Sequence, residues 1–310
     1  MKNYICVFDC ETIPDADVLA EILTDDQKSE CYDEVFYDEK CEILDEKELS
    51  KLTKTNKSKL KSEKKLNHKK ISLAAQKLQK EKTGSEFLPI CFHKIVCISA
   101  VLADEFGKFL KVETLEYGKS EKEQIEFFLN MIEKHNPRLI SYNGRGFDLP
   151  MIILRAMRYN LTCHAYFETA NGELNKNKWE NYRYRYNERF NMDLLDFVND
   201  FGSARGGLNL DNICKTLGLP GKYDVHGDQV LELFYDNKLD KISEYCQSDV
   251  LNTYLLFIKT ELLRGNLILS DYADCISIMK KYLCENCEQM GYFKPFNDFL
   301  EKELINFENL

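Results

Sequence analysis

One short segment constrains this chain more than any other. Tyr4-Ile5-Cys6-Val7-Phe8 is an apolar run, and it ends on Asp9-Cys10-Glu11. Such a run reads as a buried strand. Residues i and i+2 of a strand share a face, so both carboxylates leave it together. Like charges placed this way cost free energy unless cations neutralise them. All-oxygen donors suit Mg²⁺ or Mn²⁺ and suit zinc or copper poorly. Taken alone, the pair also fits a solvated strand end.

The rest of the sequence alternates between core-forming and solvated stretches. Residues from about Asp15 to Gly84 are polar and highly charged. A β-rich pair, Lys94–Leu102 and Phe109–Tyr117, predicts a hairpin about Asp104–Lys108, with Gly107 able to turn. Ser120 opens a helix with Glu123 as its capping-box partner. The apolar face of that helix is Ile125, Phe128, Leu129 and Ile132. Leu139–Tyr142 predicts a further strand and Leu149–Tyr159 a helix. Thr169–Asn191 reads as a loop with a β-like stretch, and the chain after Gly207 reads as mostly helical. Strands first, then a βα unit, then helices point to an α/β mixed sheet flanked by helices, not to a doubly wound one.

Two more constellations carry chemistry. Asn143-Gly144-Arg145-Gly146-Phe147-Asp148 lies between a predicted strand and a predicted helix. Asp148 there is either a helix N-cap or a ligand. Asn143 can hydrogen-bond a phosphate or sugar, and Phe147 can stack on a base. Tyr142 is a weaker stacking candidate that also fits a core strand position. Tyr245 and Asp249, at i and i+4, share one face of a predicted helix.

Jointly, D-x-E on a first strand, N-x-x-x-F-D after a later strand and Y-x-x-x-D on a late helix resemble the DEDD exonucleases, in their tyrosine branch. The nearer likeness is to the proofreading exonuclease domain of B-family DNA polymerases and to bacterial stand-alone predicted 3′→5′ exonucleases related to it. The phrases that carry it are FDCETIPD (8–15), LPICFHKIVCIS (88–99), ISYNGRGFDLPMIILRA (140–156), LNLDNICKTLGLPGK (208–222) and YCQSDVLNTYLLF (245–257).

The resemblance implies an RNase H-like fold and hydrolysis of single-stranded nucleic acid, DNA ahead of RNA, from the 3′ end with release of nucleoside 5′-monophosphates. It implies two divalent cations, Mg²⁺ or Mn²⁺, held by Asp9, Glu11, Asp148 and Asp249. Asp9 would bridge both, and Glu11 and Asp249 would complete the ion that activates water. Tyr245, whose ordinary pKa near ~10 makes it a poor base, would aim that water. Lys222, in GLPGK, reads equally as a contact to a backbone phosphate or as a solvated turn lysine. The alternatives are a non-catalytic nucleic-acid-binding module of the same fold, an RNA trimmer and an endonuclease.

The resemblance leaves two regions uncovered. The expected organisation is therefore a nuclease domain over 1–265, interrupted by an insertion over about 18–86, with a helical extension over 266–310. The formal net charge is −10, which argues against a polyanionic partner until its distribution is considered. Within 51–82, twelve lysines face only Glu63 and Glu81, so this stretch carries +10 and the remainder −20. Ile71, Ala74, Ala75 and Leu78 predict a helix there. It reads as an electrostatic track for a nucleic-acid backbone or as a solvated arm. No apolar run approaches the ~18 residues that span a bilayer. With no export signal, the twelve cysteines read as reduced thiols in a cytoplasm. Cys284 and Cys287 would need two more ligands for a zinc site, and Cys275 is the only candidate nearby.

Overall fold

The computed structural model describes residues 4–37, 42–51, 60–204, 206–221 and 227–308. They fall into two compact units, one of residues 1–13 with 94–310 and one of residues 14–93.

The larger unit is built on a five-stranded mixed sheet. Its strands are β1 (Ile5–Pro14), β4 (His93–Ala103), β5 (Phe109–Thr114), β6 (Arg138–Ser141) and β7 (Asn191–Asp193), in the order β5-β4-β1-β6-β7. β4 and β5 pair antiparallel, while β6 is parallel to both β1 and β7. The predicted hairpin is present: Asp104 N–H bonds the Lys108 carbonyl, and Gly107 has a φ of 86°. β1 does not end at the acids. It continues through Asp9 and Glu11 to Pro14, because Cys10 and Ile13 are also buried and extend its apolar pattern. β7, by contrast, had no counterpart in the sequence reading.

Seven helices of eight residues or more occur among the described residues: α1 (His68–Thr83), α2 (Glu121–His135), α3 (Asp148–Arg158), α4 (Leu210–Leu217), α5 (Leu239–Leu263), α6 (Leu269–Asn286) and α7 (Phe293–Glu308). α2 starts on the Ser120–Glu123 capping box. It buries Ile125, Phe128, Leu129 and Ile132, each contributing roughly 1.5–3 kcal/mol. Phe128 meets Phe8 of β1 with ring centroids 4.9 Å apart. The odd residues of β1, Ile5 and Val7, join Val250, Leu251 and Tyr254 of α5 in the main core. Even and odd positions of β1 therefore serve opposite faces of the sheet, as the period of two requires. α5 is buried almost all round, because residues of α6 and α7 (Tyr272, Ile276, Met279, Phe296, Leu300) share its core.

In the smaller unit, α1 packs Ile71 and Ala75 against Leu19, Leu23 and Leu88, with Ala74 and Leu78 at the edge of that cluster. The expected helical excursion also holds an antiparallel pair, β2 (Tyr32–Tyr37) with β3 (Lys61–Leu66). Asp33 faces Lys65 and Glu34 faces Lys64, so opposite charges, rather than an apolar face, match the two strands. Lys54, Lys57 and Lys59 lie outside the described residues. His93 is buried with its ring against the Leu88 carbonyl at 3.2 Å, as a structural residue would be.

Among the described residues no helix is long and apolar enough to cross a membrane. The eleven described cysteines are all free thiols. Cys275, the one further candidate to join Cys284 and Cys287 at a metal, points into the core and donates to the Gly107 carbonyl.

Candidate active site

The parity of β1 determines where its acids go. Asp9 and Glu11 follow Ile5 and Val7 onto the face that α5 covers. One ligand atom each from Asp9, Glu11 and Cys246 of α5 all lie within 4.8 Å of one another. The neighbouring turns of α5 supply Tyr245 and Asp249, one helical turn apart. Glu11 is 9% exposed, Asp148 4%, Tyr245 3% and Asp249 8%, and Asp9 is half-buried.

Electrostatics define the cluster. The Glu11 carboxyl is held well above the ordinary carboxylate range, first by burial, then by Cys246 and by the charges of Asp9, Asp249 and Asp148. Burial also pushes Asp148 up to about 7, opposed by hydrogen bonds from its own backbone and from Cys10. Three separated stretches of chain thus bring four carboxylates within each other's electrostatic reach. Tyr245 has its phenol raised by burial and by the charges of Asp249, Glu11 and Asp9, and it hydrogen-bonds Asp249. It is therefore a proton donor at neutral pH, never a phenolate.

The donor set fits hard divalent cations. Crowded carboxylates need positive charge, and their oxygens are the ligands that Mg²⁺ and Mn²⁺ prefer. Cys246 is the soft exception, and the sequence reading passed over it. Burial raises its thiol, and Sγ donates to the Asp9 carbonyl at 3.5 Å. Its soft sulfur sits among hard oxygen donors, which Mg²⁺ and Mn²⁺ prefer.

Asp148 is not an N-cap. Phe147 occupies that position, and Asp148 is the first residue of α3. The loop before it depends on close packing. A Cβ on Gly144 would come within 2.5 Å of both Ser141 side-chain atoms, so only glycine allows this approach. Asn143 sits at φ 64°, a left-handed conformation that asparagine tolerates well. Its side chain is exposed, and Phe147 is half-buried.

A residue missed from sequence fixes this loop. Asp193, at the end of β7, accepts from the backbone N–H groups of Asn143 at 2.8 Å and Arg145 at 2.9 Å. It also caps the following turn through Leu195 N–H. The available signal was an acid directly before Leu194-Leu195, as at a helix start. Arg145, also unassigned, donates to the carbonyls of Tyr182, Tyr184 and Asn191. Tyr142 is tied down as a core residue, its hydroxyl donating to the Leu208 carbonyl at 2.6 Å. Lys222 lies outside the described residues. Its neighbour Gly221 is pinned at both backbone groups by the Asn252 side chain on α5.

Residues 85–300 match the model of a protein family described as predicted 3′–5′ exonucleases related to the exonuclease domain of PolB. A DNA polymerase of Archaeoglobus fulgidus is 25% identical over 138 residues, which cover 44% of this chain and 17% of the polymerase. The structure of the family B DNA polymerase from the hyperthermophilic archaeon Pyrobaculum calidifontis aligns with a TM-score of 0.40 at 16% identity, covering 66% of this chain and 28% of that one. The chain thus spans well under a third of either polymerase.

Proposed function

We propose, on the premise that this chain belongs to the family of predicted 3′–5′ exonucleases related to the exonuclease domain of PolB, that it hydrolyses single-stranded nucleic acid from the 3′ end. DNA is the preferred substrate, and nucleoside 5′-monophosphates are the products. The observation that carries this reading is the gathering of Asp9, Glu11, Asp148 and Asp249, with Tyr245 hydrogen-bonded to Asp249.

Asp9, Glu11, Asp148 and Asp249 would hold two divalent cations, which supply Lewis acidity and ease deprotonation of water. Asp9 would contribute to both ions, Glu11 and Asp249 would complete the one that activates water, and Asp148 would help hold the other. Tyr245, kept protonated, orients the attacking water by hydrogen bonding. Phe147 and the exposed Asn143 amide meet the terminal nucleotide, and Lys222 meets a phosphate.

The test is an oligonucleotide assay with Mg²⁺, using free and blocked 3′ ends. Stepwise shortening of the free end alone is expected. Asp9→Ala and Asp249→Ala should each lose at least about 1,000-fold in rate, several kcal/mol at 1.36 kcal/mol per tenfold, with the fold retained. Internal cuts, or binding without cleavage in any divalent ion, would overturn the reading.

A further inference from the structure

The stretch Trp179–Tyr186 has no role in the chemistry described so far, yet its construction is unusual. It was expected to be partly β-like. Instead it forms a series of turns organised by Asn181, whose side chain accepts from Arg183 and Tyr184 N–H. Tyr182 is the anchor. It is fully buried, donates to the Pro137 carbonyl at 2.7 Å and stacks on Tyr166.

The residues around that anchor face solvent. Trp179 is 56% exposed and Tyr186 64%. Tyr184 lies between them, with ring centroids 5.4 Å from Trp179 and 6.0 Å from Tyr186, and Tyr186 continues onto Phe201 at 5.0 Å. Phe201 is held at φ 54°, a costly conformation for a bulky residue. Cations are interleaved with the rings: Lys178 covers one face of Trp179, and Arg183 and Arg185 are exposed. Over 178–189 the chain places four basic residues against Glu180 and Glu188, in a protein of net charge −10. Arg183 rests on Phe167 and, among the described residues, meets no carboxylate.

This strip is continuous with the loop that presents Asp148. A groove of about 410 Å³ is lined by Asn143, Arg145 and Gly146 on one side and by Arg183 and Arg185 on the other. Its two acids are already committed. Asp196 pairs with Arg185 at 2.5 Å, and Asp193 is bonded to three backbone N–H groups.

We propose that Trp179, Tyr184 and Tyr186, with Arg183, form a binding platform for the single strand whose 3′ end occupies the carboxylate site. The inference rests on the exonuclease reading and adds the path of the strand. Aromatic faces stack bases without reading sequence, and Arg183 meets a phosphate between them, while Arg185 stays paired with Asp196. Exposed apolar rings in a contiguous patch call for such an occupant.

Trp179 is the one tryptophan of the chain and so reports on the strip directly. The 310-residue chain, metal-free and also as Asp9→Ala, is titrated with oligothymidylate of about twelve nucleotides. Tryptophan emission is read together with the anisotropy of a labelled strand. Saturable quenching is expected in both proteins. Arg183→Ala and Tyr186→Ala, both at exposed positions, should weaken binding about tenfold each. Their unchanged melting temperatures would exclude misfolding.

If the strand binds while emission and both variants' affinities stay at wild-type values, the platform is refuted and the nuclease reading survives. Absence of any strand binding also refutes it. Quenching and weakened variants without hydrolysis in any divalent metal would leave the platform standing and remove the nuclease.

Discussion

Glu121 and Glu11 are both shielded from solvent, but in opposite ways. Glu121, its side chain 10% exposed, accepts from Arg155 Nε at 2.7 Å and Nη2 at 2.5 Å, from the Tyr159 hydroxyl at 2.6 Å and from Ile95 N–H at 2.7 Å. Its charge is matched by a cation that the chain itself supplies. Glu11 is buried as deeply, yet the charges that act on it are those of Asp9, Asp249 and Asp148. A buried acid built for structure brings its counter-ion with it. The groups that bear most on Glu11 are instead acids and a thiol. Burial alone therefore does not distinguish the two carboxylates; the sign of their neighbours does.

The largest effect expected from breaking this contrast is at Glu121. Glu121→Ala strands the Arg155 guanidinium in a buried site and should cost about 3–5 kcal/mol in chemical unfolding. Asp9→Asn in the metal-free protein should do the reverse and raise stability, because it relieves crowding among like charges. Equal losses from the two substitutions would erase the distinction. A smaller effect is expected from Mg²⁺ itself. Wild-type protein should gain about 2.7 kcal/mol at a hundredfold excess over Kd. Glu121→Ala should retain that gain, and Asp9→Asn should lose it. Comparable Mg²⁺ gains in wild type and Asp9→Asn would show that the ion binds elsewhere.

What the sequence made legible follows the same physics. Asp9 with Glu11, and Tyr245 with Asp249, were readable because spacings of two and four residues translate directly into a strand face and a helix face. α2 was readable from its cap and its apolar stripe. β7 was not, since Asn191–Asp193 is too short for any period to show. Asp193 went unseen with it, because its partners Asn143 and Arg145 are 50 and 48 residues away. β2 and β3 escaped for another reason. β3 is almost wholly exposed and is matched to β2 by charge, so neither strand carries the alternation that marks one. Glu121 and Arg155 lie in two separate helices, and no spacing in the sequence links the acid to the arginine that the fold brings to it.

The finest test of the contrast is the pH dependence of stability in the metal-free protein. Burial raises Asp148 to about 7, while its unfolded value stays near the ordinary ~3.9. Between these values the folded state binds more protons than the unfolded one, so stability must fall as pH rises and level off above about 7. A carboxylate held by a counter-ion gives the opposite slope. Asparagine cannot titrate, so the difference in unfolding free energy between wild type and Asp148→Asn isolates this group. From pH 4 to 7 that difference should therefore move steadily against wild type. Saturating Mg²⁺ should cancel the drift in wild type, because the cation takes the place of the proton. If the metal-free difference instead moved in favour of wild type, Asp148 would already have its positive partner within the fold, and the cluster would be a structural ion pair like that of Glu121.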